Sequence, residues 1–318
     1  MKRRYIGGIL KITVLLAAAL LTGAAAAGQA KITTMKFRLA DFTDKVTKVV
    51  LSGNEMMDSA LKLDVADHWT ASPFEFCTAA EFEKLKKSDK YYFLLTASGK
   101  AGKTGKAAAG EATAAGEKDD RAAAGAERGG LVFLALVKGG KTDGGNRKGD
   151  LQGLEDMMTV VSVPFGAAGG FGRELVFLPA LLDIVQDFTL QAMQSEMSGY
   201  SGLGQYNDNY RKDGRIKRIC FAQEDFAPSI DAVRMGRLDE DILIVPEEEA
   251  DEVFQNGTFN TLVSFVVAPE DPQPGDPCYK MLIDAETHRL YYFKSHVITG
   301  DKGRGFLPKD LRTISRRR

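Results

Sequence analysis

Apolar and polar positions repeat along this chain with two periods, and those periods divide it into short strands and amphipathic helices. Lys48 to Leu51 reads as a strand closing on Ser52-Gly53. Met56, Met57, Ala60, Leu61, Leu63, Val65 and Trp69 then follow with helical spacing, which predicts a helix from about Glu55 to His68. Pro73 breaks that pattern, and Phe74-Glu75-Phe76-Cys77 is strand-like. Thr78 with Glu81 three residues on forms a capping box, from which Phe82 and Leu85 continue a second helical stripe. Tyr91 to Thr96, Leu131 to Val137 and Met157 to Phe165 are three further strands, the last ended by the glycine-rich stretch Gly166 to Gly172.

Pro179 suits the first turn of the clearest helix in the chain. Leu181, Leu182, Val185, Phe188, Ala192, Met193 and Met197 fall on one face of it, with Asp183, Gln186, Asp187, Gln191 and Gln194 opposite. A loop from Gly199 to Gly214 comes next. Ile219 to Phe221 is a strand, Ser229 to Arg237 a helix, Ile242 to Val245 a strand and Pro246 to Gln255 a helix. Leu262 to Val267, Tyr279 to Ile283 and Leu290 to Phe293 complete the strands.

The order β-α-β-α-β-β thus occurs twice. The expected fold is α/β or α+β, with mixed sheets and packed helices in two pseudo-similar halves joined by the long helix. Expected boundaries are a leader over 1–27, a first half over 31–165, and a helical connector with its Gly/Tyr loop over 166–214. A second half over 215–300 and a C-terminal tail over 301–318 follow. Within the first half, 98–130 consists almost wholly of Ala, Gly, Lys, Glu and Asp. Such a stretch buries too little to offset its ordering entropy, so disorder is expected there. A second, shorter flexible loop is expected over Gly139 to Gly149.

The N-terminus carries the sharpest local signal. Met1-Lys2-Arg3-Arg4 precedes an apolar run from Ile12 to Leu21 and a small-residue stretch from Gly23 to Ala27. Cations, a short apolar core and Ala-x-Ala are the layout of a secretory signal peptide, with cleavage expected after Ala26, Ala27 or Ala30. The apolar core is about half of the ~20 residues a spanning helix needs. The expected location is therefore extracytoplasmic, in the periplasm or secreted, with no integral span after cleavage. Losing Lys2, Arg3, Arg4 and Lys11 makes the mature chain more acidic than the whole chain's net −1. That leaves no global attraction for nucleic acid. Apolar residues at 44% are enough for a substantial core. Cys77, Cys220 and Cys278 allow at most one internal disulfide, and their apolar surroundings favour buried thiols.

Several segments together resemble a family of exported bacterial proteins to which no activity is attached. They are Trp69 with Ser72-Pro73-Phe74-Glu75-Phe76-Cys77, Glu81 to Leu85, and Tyr91 to Leu95. Leu178 to Asp183, Gly199 to Gly204 and Cys278 to Asp284 are similar to it as well. The resemblance implies bacterial origin and export and supplies no catalytic residue.

Candidate chemistry is sparse. Ala97 to Thr104 and Ala135 to Thr142 fit a relaxed phosphate-loop pattern, but neither is followed by residues able to start a firm helix. Asp284-x-Glu286-x-His288 has metal-ligand residue types, yet it lies between two strands where Asp opens a turn. Glu247, Glu248 and Glu249 suit a helix N-terminus. No Gly-x-Ser-x-Gly elbow is present. No catalytic, metal or cofactor residue is therefore assigned. Tyr200, Tyr206 and Tyr210, beside Asn207, Asp208 and Asn209, are the candidate partner-binding residues. The expectation is an exported non-catalytic protein that binds an envelope protein or a glycan. An extracytoplasmic hydrolase with carboxylates converging only in the fold, or a structural assembly component, is the alternative. Intact-mass measurement on the folded, extracted protein is expected to place the N-terminus between Ala25 and Lys31, and retention of Met1 would remove the export reading.

Overall fold

The computed structural model describes residues 35–99, 130–141, 151–168, 172–230 and 241–315. The expected leader with Ala26 and Ala27, most of the 98–130 insertion, most of the loop over 139–149 and the helix expected after Ser229 lie outside those residues. The chain divides at Thr34/Met35, and every described element belongs to the unit Met35–Arg318.

The first half opens with a single helical turn, α1 (Met35–Arg38), then β1 (Thr47–Leu51), α2 (Glu55–His68), β2 (Phe74–Thr78) and α3 (Ala79–Leu85). Strands β3 (Tyr92–Ser98), β4 (Leu131–Lys138) and β5 (Met158–Ala167) complete its sheet. Local chemistry explains the helix boundaries. The Asn54 side chain accepts from Met57 N, and Asp58 accepts from the amides of Ser52 and Gly53, so the turn into α2 is tied at both ends. The capping box expected at α3 is present: Thr78 Oγ1 accepts from Glu81 N, and Glu81 Oε2 accepts from Thr78 N.

The second half runs β6 (Arg218–Ala222), β7 (Ile242–Val245), a helix over Glu247–Gln255, β8 (Thr261–Val267), β9 (Pro277–Asp284) and β10 (Leu290–Val297). The strand orders are β2-β1-β3-β4-β5 and, read in the same sense, β7-β6-β8-β9-β10. In each sheet the first three strands in chain order are parallel and the last two antiparallel. Val50 pairs with Cys77 and Ala222 with Val245, so the corresponding strands share their pairing. The two halves are wound alike, as the repeated element order predicts.

Between them lies α4 (Arg173–Gln194). It starts six residues earlier than Pro179 predicts, so the proline sits inside the helix and leaves the Leu175 carbonyl without its usual amide. Arg173 anchors this early start. Its guanidinium donates to Asp251 Oδ1 at 2.7 Å, Asp225 Oδ2 at 3.0 Å and the Ser264 carbonyl at 3.0 Å, and it lies over the Phe177 ring. Phe177, Leu178, Leu181, Leu182 and Val185 are completely buried in a core shared by both sheets. This is the one described helix long and apolar enough to cross a membrane, and most of that stretch is covered by the rest of the protein.

Two expectations need correction. The segment after Gly199 is not a loop. It is helical throughout: α5 (Glu196–Ser201), a 3₁₀ segment Gly202–Tyr206, α6 (Asn207–Lys212) and a 3₁₀ turn Gly214–Ile216. Nor is 301–318 merely a tail. With α7 assigned to Glu247–Gln255, helix α8 (Pro308–Ile314) packs Leu311 and Ile314 into a second apolar cluster with Phe221, Leu262 and Tyr292. It also delivers Asp310 to Lys280 on β9. The ammonium and carboxylate meet at 2.5 Å, both fully buried, while Tyr292 Oη and Leu307 N donate to the same carboxylate. Burial pushes the Asp310 carboxyl up, but Lys280 and these donors outweigh it and hold it below the ordinary carboxylate range.

All three cysteines are buried, free thiols. Leu182→Ala should destabilise the protein by about 2–5 kcal/mol in denaturant unfolding, as for a truncation in a close-packed core. A cost below ~1 kcal/mol would mean that the α4 surface is not core.

Candidate functional site

The three tyrosines do not share one surface. Tyr200 on α5 is 52% exposed. Tyr206 is buried, and its hydroxyl donates to Asp187 Oδ2 on α4 at 2.7 Å. Tyr210 is buried against Tyr292 and donates to the Ile314 carbonyl at 2.7 Å. Two of the rings expected to face a partner therefore pin the helical connector to the body, a correction whose cause is long-range hydrogen bonding that no local pattern encodes. Asn207 and Asn209 serve the same end. Asn207 exchanges hydrogen bonds with the Phe293 backbone, and Asn209 donates to the Leu290 carbonyl.

A different set of polar groups converges where α2, α4 and the β9–β10 turn meet. Gln186 on α4 organises it. Its Oε1 accepts from Thr70 N and Ala71 N, at 3.0 and 3.2 Å, which docks the chain leaving α2. Its Nε2 donates to the His68 carbonyl at 2.8 Å and to Asp183 Oδ1 at 2.7 Å. One amide thus satisfies a carbonyl at the end of α2 and fixes the Asp183 carboxylate, one turn earlier on α4.

The other Asp183 oxygen faces two imidazoles. His288 Nδ1 lies 2.8 Å from Oδ2, and His68 Nδ1 lies 3.4 Å from the same atom. The two rings are 5.3 Å apart between centroids and tilted by 40°. Phe254 stacks on His288 at 5.5 Å and 22°, and Phe254 itself stacks on Phe177 of α4. Asp64 lies one turn before His68 on α2. Burial pushes its carboxyl up, while His68 and His288 pull it down and Asp67 adds to the rise.

His288 reaches this point through a tight turn. Asp284 Oδ1 accepts from the amides of Glu286 and Thr287 and from the Thr287 hydroxyl, and Lys217 pairs with its other oxygen. The turn reading of Asp284 and Glu286 holds, so these two do not join His288 as ligands. His288 itself adopts φ +57°, a left-handed conformation that side-chain-bearing residues other than Asn, Asp and His seldom enter. Sequence spacing could not reveal the cluster, because its members lie more than a hundred residues apart and on three elements. The available signal was scarcity: two of only three histidines in the chain meet here.

The chemistry open to this arrangement is that of two nitrogen donors and one oriented carboxylate, all partly exposed. His296, the remaining histidine, lies elsewhere and pairs with the Gly303 carbonyl. The cysteines are poor nucleophiles: burial pushes the Cys220 thiol up to about 11, and the Cys77 and Cys278 thiols are raised as well. Comparison with known proteins returns no match among family models, curated proteins or solved structures.

Tyr206→Phe should cost about 1.5–3 kcal/mol of stability, since it removes a hydrogen bond to a carboxylate at a part-buried site. An unchanged thermal midpoint would show that the connector is held by other contacts.

Proposed function

We propose that this protein is exported and acts outside the cytoplasm as a non-catalytic binding protein, with an envelope protein or a glycan as its partner. The leader pattern of residues 1–27 supports export. The observation that carries the binding reading is the surface around Tyr200. Helices α1 and α5 touch there: Glu196 accepts from the amides of Met35 and Lys36, and Met35 packs so closely on Gly199 that a Cβ at that glycine would lie 2.8 Å from it. On these two helices Phe37, Met197 and Tyr200 are 64%, 78% and 52% exposed.

Large apolar side chains held outward on an ordered backbone suit recognition, because aromatic anchors supply contact area at little entropic cost. Tyr200 stays in this reading, whereas Tyr206 and Tyr210 leave it.

The triple change Phe37→Ala, Met197→Ala and Tyr200→Ala should abolish co-purification of the partner from the native envelope while leaving the thermal midpoint within a degree or two. Full retention of the partner by the triple variant would defeat the reading.

A further inference from the structure

We propose that His68, Asp183 and His288 form a binding site for one divalent transition-metal ion of the zinc class. The proposal goes beyond partner binding and does not depend on it.

Three ligand atoms, one from each residue, already lie within 4.8 Å of one another. Two imidazole nitrogens and a carboxylate oxygen are a borderline donor set that favours zinc, nickel or copper over calcium and magnesium, which prefer all-oxygen shells. At metal–ligand lengths of about 2.0–2.2 Å, tetrahedral ligands stand roughly 3.3 Å apart. The two His–Asp separations, 2.8 and 3.4 Å, bracket that value and the two imidazole nitrogens lie within 4.8 Å of each other, so side-chain adjustments would admit an ion. The surroundings also match a built site. Gln186 holds the second oxygen of Asp183, as groups behind metal ligands commonly do. Phe254 fixes the plane of His288, and the left-handed backbone at His288 aims that ring across the gap. The three side chains are 19–30% exposed, which leaves an entry path and room for water as a fourth ligand. An ion here would bond the first half, the connecting helix and the second half at one point.

The test uses the purified protein without a histidine tag, stripped with EDTA, and titrates it calorimetrically with zinc chloride and, separately, nickel chloride. We expect one saturable equivalent and a raised thermal midpoint once it is filled. His68→Gln and His288→Asn should each weaken binding at least tenfold, while His296→Ala should not change it. Asparagine tolerates the left-handed backbone at position 288, and circular dichroism checks that each variant is folded. Absence of saturable binding by the folded wild-type protein would overturn the proposal. So would equal affinity in folded His68→Gln and His288→Asn, or an equal loss in His296→Ala, which would point to scattered surface sites.

Discussion

One helix must satisfy two sheets at once, and most of the architecture follows from that constraint. Helix α4 is apolar around most of its circumference because the first sheet and α2 cover one side while β8 and α7 cover another. A helix so placed has few positions for polar side chains. Four of them tie down distant segments: Arg173 holds the second half, Gln186 the chain after α2, and Asp187 the helical connector. Asp183 is the remaining case, and its distant partners are the two histidines. The halves are therefore not independent modules joined by a spacer. They share a core, and they share the polar contacts that orient it.

Elements set by nearest neighbours were readable from the amino-acid order. The span of α2, the Thr78–Glu81 box and all ten strands follow from periodicity and capping, which act within a few residues. The region from Gly199 to Ile216 was not readable. Its glycines and asparagines favour turns locally, and long-range contacts, among them those to Asp187, Leu290, Phe293 and Ile314, hold it as a string of short helices. The start of α4 failed for a related reason, since Arg173 begins the helix by reaching three acceptors brought in from β8, α7 and the turn after β6. The histidine cluster is the extreme case. Its spacing carries no local rule, and its geometry exists only once α2, α4 and the β9–β10 turn are in place.

The likeness of the halves is one of winding rather than of residues. Corresponding strands pair in the same sense and order, yet the connections differ. The link between β3 and β4 spans 99–130, whereas its counterpart between β8 and β9 spans only 268–276. Their surroundings differ too. Strand β8 is buried at every position because α8 and the C-terminal segment cover the outer face of its sheet. Continuous apolar strands of this kind are what burial on both faces demands.

The pairing of Lys280 with Asp310 makes the last helix a condition for the integrity of the sheet. A buried ammonium deprived of its carboxylate is costly to the whole fold, by about 3–5 kcal/mol for a broken pair of this type. A protease that clipped the chain between β10 and α8 would part Asp310 from the sheet and strand a charge in the middle of β9. Loss of α8 would therefore open the second sheet to further attack, so this one short helix guards the stability of the whole fold.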